Sequence, residues 1–405
     1  MKRRLLPILM TLVLVCALPI WAAFVTSGDV TNPLVSTAWA TLPDLQAKID
    51  AAADNATITL DSNTEIAATL QITKNLTLDL NGCVLRMRGS GSVLKVSGRA
   101  TLTITDSSAA KSGTITGGNA EYGGGVYVDD YAALKMTGGC ITGCHASRGG
   151  GGIYSSGNLY MGGTAKIEKC TGSDDAIWNR ENSDIYADGG TVDGTVNNQG
   201  TIKRSEGAAA VTVFNGTVYN RSAGTIIAGI YNGTVENNGT ISGGTFCGGV
   251  TIRKGSWVWE RTGSISGGTF YSSIVNEAGP ERVTGVTFAV TFDRGDGTKT
   301  EPTPVKYNDL VPKPTAPTKS GYTFTGWEDA NGAYDFNTPV TGPLTLTAKW
   351  EKVPSSGGNY YYHPTTDTKA DDAKGSPKTA DPGVALYAAL SLLSLTGLTC
   401  TTKKR

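Results

Sequence analysis

The sequence predicts an all-β fold: a parallel β-helix solenoid over residues 56–288, then a small β module over 289–351. Three observations carry this expectation. The chain repeats itself at spacings of about 17–32 residues, which marks a stacked array. Its units contain two or three short segments alternating apolar and polar residues, such as Thr101-Leu102-Thr103-Ile104-Thr105, the pattern of half-buried strands. Gly and Asn punctuate these segments, and no unit holds a helical pattern long enough for a leucine-rich or ankyrin-type repeat.

At the N-terminus, Lys2, Arg3 and Arg4 precede an apolar run from Leu5 to Val25, with no charge before Asp29. A basic start followed by an apolar segment is the order of a secretory signal peptide, assigned to residues 1–25. Pro7 and Pro19 disfavour the alternative, a retained membrane helix. Small residues suited to cleavage occur at Ala22 and Ala23, and again at Ala38-Trp39-Ala40. Residues 26–55, with a short helical pattern over 42–53, are expected to form an N-terminal region and cap.

Repetition dominates from there to residue 288. Leu76-Thr77-Leu78-Asp79-Leu80 recurs in form at Leu102, Leu134 and Leu159, leucines 26, 32 and 25 residues apart. Gly-Gly-Gly-Val-Tyr at 123–127 returns as Gly-Gly-Gly-Ile-Tyr at 150–154, and Ile-Ser-Gly-Gly-Thr-Phe occurs at 241–246 and 265–270. A third template begins at Gly194, Gly216 and Gly233. Period-two alternation places Leu, Ile, Val and Met on one face and Thr, Lys or Asp on the other. Stacked coils then share one apolar core, while Gly and Asn are expected at corners needing positive φ. The region resembles the pectate-lyase-like right-handed parallel β-helix of Gram-positive adhesin-like proteins. At about 23 residues per coil it makes roughly ten coils, a rod on the order of 50 Å long.

Balanced charge, 35 basic against 35 acidic residues, offers no basic face for nucleic acid. Only His145 and His363 exist, which counts against histidine-based catalysis. Outside the terminal segments five cysteines remain (Cys83, Cys140, Cys144, Cys170 and Cys247), an odd number that excludes a complete disulfide framework. Cys144 and Cys170 each follow an isoleucine by three residues, so they fall at equivalent places in adjacent units. They are expected to form a buried side-chain ladder, with a disulfide between coils geometrically open. Cys140, Cys144 and His145 match no familiar zinc spacing, so no metal or other cofactor is expected. Parallel β-helices host polysaccharide lyases and hydrolases, whose chemistry needs paired carboxylates or acidic residues holding Ca²⁺. The candidates are Asp129 and Asp130 near Arg148, and Asp174, Asp175, Asp184 and Asp188. None of these sets recurs at the coil period, so they are expected in solvated turns and no catalytic residue is assigned.

From Ala289 the texture changes. Val290-Thr291-Phe292-Asp293, Val305-Lys306-Tyr307, Gly321-Tyr322-Thr323-Phe324-Thr325-Gly326-Trp327, Tyr334-Asp335-Phe336-Asn337 and Leu344 to Trp350 follow in order. This closely resembles one internalin B-repeat (Listeria–Bacteroides repeat), with Gly295-Asp296-Gly297 where the family often has Asn-Gly-Gly. The resemblance implies a β-grasp-like module with Trp327, Phe324, Tyr334, Phe336 and Trp350 in its core, used as a spacer or weak binding unit. Residues 352–375 lack periodicity and read as a flexible wall-spanning spacer.

Residues 376–405 begin with Ser376-Pro377-Lys378-Thr379-Ala380. An apolar segment (384–400) follows, then Lys403, Lys404 and Arg405. Motif, apolar segment and basic tail in this order resemble a Gram-positive sortase sorting signal, with Ser376 for the common Leu and Ala380 for the common Gly. The apolar segment would hold the exported chain in the membrane while the basic tail stays inside. The resemblance implies that a sortase cysteine attacks the Thr379 carbonyl, releases Ala380 onward and passes Thr379 to a peptidoglycan amine. A simple C-terminal membrane anchor is the alternative. Together these readings lead us to expect an exported, wall-attached, non-enzymatic adhesion protein whose β-helix meets a host or neighbour-cell glycan or protein.

Overall fold

The structure, a computed structural model, describes residues 40–41, 45–172, 175–255 and 262–354. The signal peptide (1–25), most of the spacer, the sorting motif Ser376 to Ala380 and the apolar segment 384–400 lie outside them. Among the described residues no helix is long and apolar enough to cross a membrane.

From Ala56–Thr59 onward the chain winds into a parallel β-helix whose coils contribute up to three strands each, stacked into three columns. A leucine column runs through Leu76–Asp79, Thr101–Thr105 and Ala133–Met136 to Ser264–Ile265, every neighbour parallel. A second column, aromatic at its C-terminal end, runs from Ala40–Thr41 through Thr64–Ile66 to Thr269–Phe270. These two join into one 19-stranded sheet, and a valine column forms a separate ten-stranded sheet from Leu70–Ile72 to Ile274–Asn276. Its ten strands equal the number of coils expected from the sequence.

The sequence repeats are the coil register. Leu76 pairs with Leu102, Leu102 with Leu134, and Leu134 with Leu159. Val126 pairs with Ile153, Val196 with Val218, Val218 with Val235, and Phe246 with Phe270. Inward residues such as Leu102, Ile104, Ile115, Leu134, Ile153 and Ile167 are wholly buried. Each such aliphatic side chain contributes roughly 1.5–3 kcal/mol of burial free energy.

Asparagine is used differently from the expectation. Asn81 and Asn182 do take positive φ at corners. Asn179, Asn198, Asn220 and Asn237 instead point into the core of the valine column and are fully buried. Each side-chain amide donates to the next carbonyl oxygen along the rod, at 2.8, 2.8 and 2.7 Å. Stacking places identical amides one coil apart, so each satisfies its neighbour, and burial no longer leaves a polar group unpaired. Further C-terminal, Phe214, Tyr231, Phe246 and Phe270 stack within 4.7–5.0 Å at angles under 10°.

Both described ends are covered. The helix Leu45–Ala51, within the expected 42–53, buries Leu45 and Ile49 against the first coil. At the other end the solenoid passes straight into the small module. Val283 pairs with Ile265, Thr287–Asp293 opens the module's sheet, and Phe288 packs edge-on to Phe270 at 6.4 Å. The Ile274 N–H donates to the Thr341 carbonyl at 2.8 Å. The module is a five-stranded mixed sheet, with Thr287–Asp293 parallel to Leu344–Lys352. Of its five expected core aromatics only Trp327 is fully buried. Phe324, Tyr334, Phe336 and Trp350 are half-buried around it, and Val290, Val305, Leu346 and Ala348 complete the core.

Candidate binding cleft on the solenoid flank

Alternation in the valine column turns Val126, Ile153 and Ile177 inward, which obliges the next residue of each strand to face out. Those residues are Tyr127, Tyr154 and Trp178, in register on consecutive coils beyond Lys95. A short three-stranded sheet (Asn119–Tyr122, His145–Gly149, Thr171–Gly172) lies beside this column. The glycine triplets at 123–125 and 150–152 connect the two. A Cβ on Gly124 would come within 2.3 Å of the His145 carbonyl oxygen, so the coils close here only without side chains. At Gly149 a Cβ would meet the Trp178 ring at 1.9 Å, so the indole lies over this bare backbone.

Four rings collect at the junction. Tyr127 stacks on Tyr154 at 5.1 Å and 23°, while Tyr122 and Trp178 tilt against Tyr154 at 4.8 and 6.4 Å. Tyr154 is only 7 % exposed and backs the half-buried rings around it. Lys95 Nζ sits 5.2 Å over the Tyr127 ring and 3.5 Å from an Asp129 oxygen. Arg148 Nε donates to Glu121 at 2.8 Å. Burial, with Tyr154 and Asp129 nearby, holds the Tyr127 phenol above its ordinary range, so it stays a neutral donor at neutral pH. Beside these rings an open cleft of about 590 Å³ is walled by Ser90, Ser92, Lys95, Asn119, Glu121 and Ser147.

A second cleft of about 400 Å³ is lined by Asp130, Tyr131, Asn158, Arg180 and Glu181. Its aromatic, Tyr131, is 81 % exposed and projects into solvent instead of forming a floor. On the outer face of the leucine column Tyr160 and Tyr186 stack at 4.2 Å between Lys135 and Lys203.

The carboxylates considered for catalysis are dispersed. Asp129 pairs with Lys95 and Arg148 with Glu121. Asp175 is buried near the Asn197 amide, Asp184 binds Lys203 at 2.7 Å, and Asp188 accepts from Ser205. Asp174 lies outside the described residues. Among the described residues no cluster of His, Cys, Asp or Glu could hold a metal ion. Cys144 faces inward and His145 outward, as adjacent strand residues must. Cys144 and Cys170 are unbonded thiols on adjacent coils. Their mutual hydrogen bond and burial push the Cys170 thiol above its ordinary range.

The sequence reading passed over the aromatic cleft. Its signal was present in the two Gly-Gly-Gly repeats and in Ile177-Trp178, where an aromatic follows each inward aliphatic residue.

Comparison with known proteins finds partial likeness. Internalin H of Listeria monocytogenes is 36% identical over 95 residues, 22% of this chain and 16% of that protein. A Gly-rich protein of Evansella cellulosilytica is 35% identical over 68 residues, 16% of this chain and 8% of that protein. The chain thus spans well under two thirds of the length of either relative. No solved structure matches it. Residues 288–349, the sheet docked on the solenoid's end, match the family described as the Listeria-Bacteroides repeat domain.

Proposed function

We propose that this chain is displayed at the bacterial cell surface and serves adhesion, its β-helix presenting lateral surface to a ligand on a host or neighbouring cell. The observation that carries the reading is a ten-coil rod with a Listeria-Bacteroides repeat packed on its end. The likeness to internalin H supports a bacterial surface setting, and the Evansella relative carries a membrane designation in its name. The dispersal of the acidic residues supports a non-catalytic role, as Asp129, Asp175, Asp184 and Asp188 are each committed to a separate neighbour.

The finer reading is covalent attachment. After export, sortase joins Thr379 to peptidoglycan, and the apolar segment 384–400 is released with Ala380. Muramidase digestion of purified walls, cleavage before Asp with Asp-N, and mass measurement of the C-terminal peptide test this. We expect a fragment from Asp372 to Thr379 carrying a wall-peptide adduct. A fragment running through Ala380 into the apolar tail means a membrane anchor instead. Polysaccharide cleavage abolished by substitution of Asp129 or Asp174 would replace adhesion with lyase or hydrolase activity.

A further inference from the structure

We propose that Cys144 and Cys170 close a disulfide between adjacent coils once the chain is exported, a covalent staple across two turns of the solenoid. The proposal rests on the surface reading for its oxidising setting, since thiols inside a cell are kept reduced.

Register comes first. Thr142 pairs with Glu168 and His145 with Thr171, and two residues separate these anchors on each coil. Cys144 therefore stands directly opposite Cys170, and the Thr171 N–H donates to the Cys144 carbonyl at 2.9 Å. Opposite residues of neighbouring strands lie about 4.8 Å apart, within the roughly 4.4–6.8 Å that a disulfide spans between Cα atoms. Side-chain direction agrees. A Cβ on Gly125 would lie 3.5 Å from Cys144 Sγ, and one on Gly152, a coil further on, 3.3 Å from Cys170 Sγ. Both sulfurs thus face equivalent points of the same glycine wall. Cys170 Sγ also lies 3.6 Å from the carbonyl oxygen of Ile141, on the coil that carries Cys144.

The pair occupies one rung. On the preceding coil the equivalent residue is Gly118, whose carbonyl accepts from the His145 N–H at 2.8 Å. The short three-stranded sheet ends at Thr171–Gly172, beside Cys170. Cys140 stands opposite Thr114 and Lys166 instead. The glycine triplets leave this corner without side chains to pack, so a cross-link would hold the sheet's last rung to the coil before it.

The two thiols differ in a way that orders the chemistry. Cys144 is buried, and its thiol is lowered by the hydrogen bond from Cys170 and, against burial, by the Gly118 and Gly117 N–H groups. Cys170 is half-buried, and the same bond and its burial raise its thiol. A small external disulfide reaches Cys170, whose thiolate attacks it and releases one thiol. The Cys144 thiolate then attacks the Cys170 sulfur of the mixed disulfide, forming the new S–S bond and releasing the second thiol. Both cysteine protons end on the released thiols, and the external disulfide takes the two electrons. The raised Cys170 thiol makes the first step the slow one.

The test alkylates the full chain in denaturant, digests it with trypsin without reduction and maps the peptides by mass. Protein released from intact cells is compared with purified chain treated with oxidised glutathione. We expect peptide 136–148 joined to peptide 170–180, two hydrogens lighter than their sum. Cys140→Ser should keep the link, and Cys144→Ser should abolish it. The linked wild type should melt about 5–10 °C above its reduced form, a difference absent from Cys170→Ala. Alkylated Cys144 and Cys170 in protein from the cell surface overturns the assignment and leaves surface display standing. Glutathione retained on either cysteine, a link through Cys140, or equal melting of linked and reduced chains also overturns it. A chain found only inside the cell, reduced there but linked by oxidised glutathione once purified, overturns the surface reading and leaves the site.

Discussion

Asp106 accepts backbone N–H bonds from Gly82, Ser108 and Gly113 at 2.9, 3.1 and 2.6 Å, tying two adjacent coils at one corner. Burial opposes its charge, yet hydrogen bonds from Ser108, Gly113 and Gly82 outweigh it and hold the carboxyl below its usual range. Asp79 is lowered likewise, against its burial, by Ser107 and Asn81. With folded values lowered, this stabilisation is complete above the unfolded value of about 3.9 and is lost as pH falls through the folded values. Denaturant midpoints should therefore hold steady from neutral pH to about pH 5 and fall below about pH 4. Asp106→Asn should remove part of that fall and cost about 1–3 kcal/mol at neutral pH, measured by urea unfolding. The amide keeps one acceptor and turns a donor toward bonded N–H groups. Turn chemistry of this kind was only partly legible beforehand. Glycine and asparagine in general read as corner residues, but nothing along the chain says that Asp106 reaches back one coil to Gly82.

Among the elements, the helix Leu45–Ala51 protects an edge. The first valine-column strand would expose unpaired backbone, a template for pairing with another chain. The Gln46 side chain meets both groups of Gln71, donating to its carbonyl at 3.1 Å and accepting from its N–H at 2.8 Å. Lys74 Nζ ties the helix end to the same coil through the Asp50 and Ala52 carbonyls, both at 2.8 Å. Replacing Gln46 by Ala and Ile49 by Asp should unseat the helix. We expect concentration-dependent self-association by analytical ultracentrifugation, with the strand signal in circular dichroism retained. The helix was legible as an amphipathic stretch ahead of the repeats. Its hold on Gln71 was not, because a glutamine carries no periodic signal.

For the whole molecule, the C-terminal module behaves as the solenoid's cap. Phe288 is buried between Phe270 and Tyr307, and Ile274 shares a backbone bond with Thr341. The resemblance implied a spacer or weak binding unit, and the rod meets the module directly. In a solenoid each coil contacts only its neighbours, so an end coil without cover exposes its core. Deleting residues 287–352 should strip Phe270 of cover and lower both the thermal midpoint and the soluble monomer yield, read by calorimetry and gel filtration. Truncation inside the undescribed tail should leave both unchanged.

The sequence by itself determined the fold class, the coil register and the position of the module, because stacking needs like residues at like intervals and repetition writes those intervals into the chain. It also marked which strand faces are apolar, since alternation at period two follows from strand geometry. Tertiary structure alone decided where residues of different coils and sheets converge. The tyrosine cleft joins strands from two sheets across glycine turns. The asparagine ladder exists only because amides one coil apart satisfy one another. The cap exists only because a module meets the end of a rod. Each of these depends on distances between residues far apart in the chain, which a linear pattern of apolar and polar letters does not encode.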